Sequence, residues 1–317
     1  LILQGFRPGR TWYFASGGDE ETFGIEGARK MASYFEEEGI VFDFVLDEGT
    51  FVSPGMISDV SAPLAPLGIS EKGYADVLLE TKGRGGHASI PPSDNPAAVL
   101  TEAVTRIEGA GKKQRITYTV RRFLHALTPY VPFFKAAVFA NIWLFGPVIK
   151  KGMSRKDQTR VLIETTSALT LLHAGEKENV IPVKADAVFN VRILPGETVG
   201  RVLSRFKGLI GNRNVKVSVL DEREVNDPVR ETSYDDEISL KIAGVIRSVF
   251  PDAVIAPYMS TVTTDSKYYQ NLTDRIYRFV PVILSPEDFR LIHGIDERIS
   301  FENLSYILRF YTSLLQS

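Results

Sequence analysis

One stretch constrains the fold of this chain more than any other: Ser16-Gly17-Gly18-Asp19-Glu20-Glu21, with Gly24, Gly27 and Ala28 close behind it. Upstream, Thr11-Trp12-Tyr13-Phe14-Ala15 has the length and composition of a strand, bounded by Gly5 and Pro8 before it and two glycines after it. Downstream, Ala28, Met31, Ala32 and Phe35 recur at the spacing of an amphipathic helix that ends at Gly39. A second apolar run, Val41 to Leu46, leads into Asp47-Glu48-Gly49. Strand, helix and strand with short links predict a right-handed βαβ unit. Its two acidic clusters are then expected at one rim of a parallel sheet, where α/β folds keep their sites.

Two ionised carboxylates held close together repel, so one must take up a proton or a cation must sit between them. Capping and the helix dipole explain Asp19 and Glu20 at a helix start. They do not explain Asp47 and Glu48 at a neighbouring strand. A metal-binding rim explains both clusters, and its nitrogen ligand must come from elsewhere in the chain.

The candidates are few. The 317 residues contain no cysteine and four histidines, His87, His125, His173 and His293, so thiolate zinc sites and disulfides are excluded. A formal charge of -2 gives no electrostatic case for nucleic acid. The length suits two domains. The chain opens Leu-Ile-Leu-Gln-Gly without methionine, signal-peptide charges or a cleavage site, which reads as a fragment beginning inside an element.

Between Glu71 and about Leu220 the pattern changes. Tyr74–Leu79, Ala187–Ile193 and Val215–Val219 alternate as strands, Pro96–Ile107 and Thr198–Ile210 have helical period, and Thr165–Leu172 is a further apolar segment. This order predicts an inserted α+β domain with an antiparallel sheet. The α/β pattern then resumes, with a helix at Ile238–Phe250, strands at Val254–Tyr258 and Ile276–Leu284, and a closing helix at Phe301–Leu315. Tyr130–Ile149 is apolar and aromatic and nearly long enough for a membrane span, but Pro132, Lys135, Asn141 and Pro147 interrupt it. It reads first as a buried or surface-lying helix pair. The sharper alternative is a surface for greasy substrates or membrane, although nothing within this chain establishes membrane association.

Seven blocks now stand in order: Gly-Gly-Asp-Glu-Glu at 17–21, Val-Leu-Asp-Glu-Gly at 45–49, Ser-Glu-Lys-Gly at 70–73, Gly-Gly-His-Ala-Ser at 85–89, Asn-Val-Ile-Pro at 179–182, Thr-Thr-Asp-Ser at 263–266 and Ile-His-Gly at 292–294. Together, and over essentially the whole chain, they resemble the M20 metallopeptidases, with the nearest likeness in the branch of carboxypeptidase S and the N-fatty-acyl-amino-acid hydrolase/synthases. The resemblance implies an α/β catalytic domain over 1–71 and 221–317, with a parallel-type sheet, and an inserted α+β lid and dimerisation domain over 72–220. It implies Glu20 as general base, and Glu21, Asp47 and His293 as ligands of two metals, zinc first, with manganese or cobalt also compatible. His87 resembles the family histidine that reaches across a homodimer to stabilise the oxyanion, and Asn179 a polar contact to substrate. Thr264 and Asp265 fall where the family places a substrate-binding loop beside the metals.

His125 and His173 match no block and read as structural. Asn271-Leu-Thr is a glycosylation sequon of low specificity. The family's earlier His-x-Asp motif and bridging aspartate have no counterpart here, and Gly18 stands where family members often carry histidine. The resemblance implies metal-dependent cleavage of an amide next to a free carboxylate, in small peptides or N-acyl amino acids. Two further readings remain: fatty-acyl hydrolysis with reversal to synthesis, and an inactive dimeric binding module. A vacuolar, lysosomal or secreted setting follows from the resemblance alone.

Overall fold

The computed structural model describes residues 1, 3, 5–57 and 59–317, with the side chains of residues 286 and 289 set aside. Its elements in chain order are α1 (Ala28–Glu37), β1 (Val45–Val52), β2 (Leu64–Glu71), β3 (Gly73–Lys82), β4 (Gly86–His87), α2 (Pro96–Glu108), α3 (Tyr118–Leu127), α4 (Phe133–Ala140), α5 (Ile142–Met153), α6 (Asp157–Arg160), β5 (Thr166–Ala174), β6 (Val180–Ile181), β7 (Lys184–Ile193), α7 (Val199–Ile210), β8 (Val215–Val219), α8 (Glu237–Val249), β9 (Val254–Ser260), β10 (Ile276–Ile283), α9 (Pro286–Phe289) and α10 (Phe301–Gln316). They form two compact units. The first is Leu1–Glu71, Ile116–Gly152 and Arg230–Ser317, and the second is Lys72–Arg115 and Met153–Val229.

This division differs from a simple 72–220 insertion, because residues 116–152 return to the first unit. The reason is α3. Its apolar stripe, Val120, Phe123, Leu124 and Leu127, is buried, and Phe123 meets Tyr258 of β9 edge-on at 5.5 Å. Thr117 caps the helix through Val120 N–H, while Thr119 accepts or donates a 2.9 Å hydrogen bond with Ser70 at the end of β2.

The sheet of the first unit runs β1-β10-β2-β9 and is mixed rather than wholly parallel. β1 with β10 and β2 with β9 are parallel, and β10 with β2 is antiparallel. All of β2 is buried, as expected for a strand covered on both faces. Leu67, Ile69, Tyr277 and Phe279 share a core with Ile242 and Ile246 of α8 and Phe310 and Leu314 of α10. Each such aliphatic or aromatic side chain contributes about 1.5–3 kcal/mol by burial. Asn303 of α10 accepts from Ile283 N and donates to Ile283 O, at 2.8 and 3.0 Å, and so fastens the closing helix to the end of β10.

The expected strand at Thr11–Ala15 does not form, and β1 begins at Val45 rather than Val41. A strand needs a neighbouring backbone to satisfy its ladder, and residues 11–15 have none among the described residues. They are held by rings instead: Trp12 meets Phe44 at 5.7 Å, and Tyr13 meets Phe35 and Phe42 at 5.2 and 5.5 Å. The predicted βαβ unit is therefore a loop, α1 and a single strand.

The second unit has the expected antiparallel α+β form. Its sheet runs β5-β7-β3-β8, with β3 and β7 in unbroken register from Gly73–Ile193 to Lys82–Lys184. One face is covered by α2 and α7, whose Leu100, Ala103, Ile107, Val202, Phe206 and Ile210 are buried against Val77, Leu79, Ala187 and Phe189. Asn95 and Thr198 cap the two helices.

Candidate active site

The loop from Ser16 to Gly27 is built around Asp19. Its carbonyl accepts from Thr22 N and Gly24 N at 3.0 and 2.8 Å, closing the single 3-10 turn Glu20–Thr22. One carboxylate oxygen accepts from Glu26 N at 2.7 Å, while the other, Oδ1, is buried without a hydrogen-bond partner. Two glycines make room for this crowding. A Cβ on Gly27 would collide with Asp19 Oδ1, and a Cβ on Gly24, where φ is +65°, would collide with Asp265 Oδ1. Asp265 Oδ1 is the second buried carboxylate oxygen of this region without a partner.

Asp47 lies within β1 rather than at its end, where the register with β10 shifts between Asp47 and Phe51. Its two oxygens accept from Glu48 N at 2.9 Å and from Ser266 N at 2.7 Å. Glu20, Glu21, Asp47, Glu48 and Asp265 then crowd one another. Partial burial, reinforced by Glu48, Glu21, Asp265 and Asp47, raises the Glu20 carboxyl to about 7. Burial and the charge of Asp47 raise Asp265 to about 6, and burial and Asp47 also raise Glu48, against the pull of His293. His293 has a positive φ of 60° and places Nε2 3.7 Å from Glu21 Oε1, an ion-pair distance longer than a hydrogen bond.

The loop acids and the Asp47–Glu48 pair lie within electrostatic reach of one another, and a buried chain of hydrogen bonds holds Asp47 in place. Arg278 of β10 and Glu71 of β2 are both fully buried, with Nε donating to Glu71 Oε2 at 2.8 Å. Thr264 donates to the same carboxylate through Oγ1 and N at 2.8 and 3.2 Å, and its Oγ1 pairs with Ser266 Oγ at 2.6 Å. Ser266 N is the donor that fixes Asp47. Thr264 is 1% exposed, with its hydroxyl engaged by Glu71 and Ser266. It supports the loop that carries Asp265. Glu71 and Arg278 were not singled out from the sequence as site residues. The signal available was an ionisable residue in each of two otherwise apolar strands.

His87 and Asn179 come together in the second unit. β4 and β6 pair Gly86 with Ile181 and His87 with Val180, and Ala88 N donates to Asn179 O at 3.0 Å. His87 is exposed, and its Nδ1 faces Ser89 Oγ at 2.8 Å, leaving Nε2 outward. Of the other histidines, His173 pairs with Asp186 at 3.0 Å on the exposed part of the sheet. His125 lies in α3, where burial and then Arg122 and Arg121 lower its pKa.

The rim suits a divalent cation in charge and donor type: five crowded carboxylates, two unpartnered buried oxygens at its edge, and one imidazole. Among the described residues, however, no three His, Cys, Asp or Glu side chains converge as a ligand set. The first unit thus carries the donor chemistry of a metal centre without a complete coordination sphere.

The model of the peptidase dimerisation domain of the M20 group matches residues 69–218. The whole chain is 36% identical to the probable carboxypeptidase S-like 2 of Dictyostelium discoideum, covering 61% of that protein. It is 35% identical, again along its entire length, to the N-fatty-acyl-amino acid synthase/hydrolase PM20D1 of Bos taurus, covering 63% of it. The M20 family metallo-carboxypeptidase of Sulfolobus solfataricus superposes with a TM-score of 0.63 at 15% identity, over 94% of this chain and 68% of that one. Human carnosine dipeptidase 1 gives 0.57 at 14%, over 95% and 66%. Residues 69–218 thus match the peptidase dimerisation domain of the M20 group, and the chain, similar along its whole length to these curated relatives, spans about three fifths of their length.

Proposed function

We propose that the protein to which this chain belongs hydrolyses the amide bond of small peptides or N-acyl amino acids next to a free carboxylate, with divalent metal at the acidic rim. The observation that carries this reading is the acidic rim itself, where Glu20 lies within electrostatic reach of Glu48, Glu21, Asp265 and Asp47. A carboxylate beside an activated water can take its proton and return it to a leaving amine. Glu21, Asp47 and His293 are the residues that would hold the metal, which supplies Lewis-acid polarisation of the scissile carbonyl and a more acidic water. Asp47 is aimed by its two backbone donors. Its second donor depends on the Arg278–Glu71–Thr264 chain. The resemblance offers His87 and Asn179 as polar contacts to substrate, and the dimerisation domain supports a homodimer.

Replacing Glu20 by Gln tests the assignment. Turnover is expected to fall by about a hundredfold or more, the usual range for a lost general base, with bound metal unchanged by elemental analysis. Turnover within about twofold of the parent would refute the role of Glu20. The names of the PM20D1 relatives favour a second reading, in which the acyl group is a fatty acid. Hydrolysis of N-oleoyl-phenylalanine measured against a blocked dipeptide separates the two; equal or slower cleavage of the lipid rejects the fatty-acyl reading.

A further inference from the structure

Helices α4 and α5 follow each other with a bend of 116°. A helix that is apolar all round is normally buried, yet α4, Phe-Phe-Lys-Ala-Ala-Val-Phe-Ala, has no buried residue, and Phe133 and Phe134 are 79% and 82% exposed. In α5 the apolar residues fall on two opposed stripes. Ile142 and Ile149 form one stripe and are buried. Trp143, Leu144, Pro147 and Val148, at helical spacing, face outward, with Trp143 81% exposed. This outward stripe lacks a cover among the described residues.

Charge identifies the cover. From Tyr130 to Gly152 there are three basic residues, Lys135, which pairs with Asp59, and Lys150 and Lys151 in the last turn of α5, and no Asp or Glu, in a chain whose formal charge is -2. Exposed Trp and Phe beside lysines that can extend past them suit the boundary between phospholipid headgroups and acyl chains. Helices of 8 and 12 residues reach only about 12 and 18 Å at 1.5 Å per residue, well short of a hydrocarbon core of about 30 Å. Among the described residues no single helix is long and apolar enough to cross a membrane. We propose that the α4–α5 hairpin lies in the surface of an anionic phospholipid bilayer, with Phe133, Phe134 and Trp143 inserted and Lys150 and Lys151 at the headgroups. This revises the sequence reading, in which nothing in the chain established membrane association. Lipid binding here does not require the acidic rim to be catalytic.

The chain has two tryptophans, Trp12 and Trp143. Trp12 packs on Phe44 and its indole N–H has no hydrogen-bond partner, so Trp12→Phe leaves Trp143 as sole reporter at little cost. In that variant, vesicles of phosphatidylcholine with phosphatidylserine are expected to shift the emission to shorter wavelength, and brominated lipid to quench it. Phosphatidylcholine alone should act more weakly. Phe133→Ser with Phe134→Ser should reduce partitioning by about tenfold or more, from the apolar area withdrawn. Lys150→Gln with Lys151→Gln should cost about thirtyfold on anionic vesicles only, at about 1 kcal/mol per lysine. Circular dichroism confirms folding of each variant. Three results would overturn the proposal. The first is an emission unaffected by vesicles. The second is a lipid-free blue shift that grows with protein concentration and mass, which assigns the stripe to a second copy. The third is a saturable shift with monomeric N-oleoyl-phenylalanine and none with vesicles, which assigns it to one acyl chain.

Discussion

Glu71 and Lys72 are neighbours in sequence, both fully buried, and the two units handle their charges in opposite ways. Glu71, in the first unit, is paired with Arg278 and shared with Thr264, while both terminal amines of Arg278 are buried with no hydrogen-bond partner. Lys72, in the second unit, donates to Val161 O and Glu164 O, each at 2.9 Å. Two donors are what a neutral amine offers, and burial lowers the Lys72 pKa to about 7. The second unit neutralises a buried charge and satisfies it. The first sets a guanidinium and a hydroxyl against its buried carboxyl, whose pKa burial raises, and leaves the terminal amines of Arg278 unmatched.

The largest effect is expected at the buried ion pair. Arg278→Met should destabilise the first unit by about 3–5 kcal/mol, the usual result of stranding one partner of a buried ion pair, and Glu71→Gln in addition should recover most of the loss. Denaturant unfolding of the two variants checks this. A single-variant loss below about 1 kcal/mol would place the pair with exposed ion pairs and dissolve the contrast.

Lys72 predicts a pH effect with a definite sign. Folded, it releases its proton near 7; unfolded, near 10.5. Between those values the unfolded chain binds more protons, so this group's contribution makes stability rise with pH across that window, the penalty being present in full below about pH 7. Lys72→Met removes the group, and the difference in melting temperature between variant and parent should shrink as pH is raised from 7 to 10 if the parent gains as described. A constant difference would mean that Lys72 stays charged when buried. The smallest stability effect belongs to His87→Ala, an exposed position that should change stability by about 0.5 kcal/mol or less while slowing turnover. Unchanged turnover would reduce His87 to a turn residue.

Much of this was legible locally. The periods of α1, α2, α7, α8 and α10 and the alternation of β3, β7 and β8 are visible in sequence because a helix or an antiparallel ladder imposes its own repeat on the side chains that face a core. The acidic loop was legible for a related reason: glycines beside carboxylates mark a turn that must pass close to charge. β2 and α3 were not legible. Leu64–Glu71 contains Pro66 and Gly68 and has no polar alternation, since both of its faces are covered. The run Thr11–Ala15 erred in the other direction, having strand composition without a strand to pair with.

What the sequence determined by itself is the inventory: which acids lie on the loop and on β1, that one histidine follows β10, and that the second unit interrupts the first. What only the tertiary structure decided is how those residues are made to meet. Glu71 is 193 residues from Thr264 and 207 from Arg278, and Asp47 is 219 from Ser266. No local period spans such distances. They are closed by the pairing of β1, β10, β2 and β9, whose order follows from burying two apolar sheet faces at once. The outward stripe of α5 divides in the same way. The sequence supplied apolar residues on both sides of that helix, and only packing decided which side the protein itself would cover.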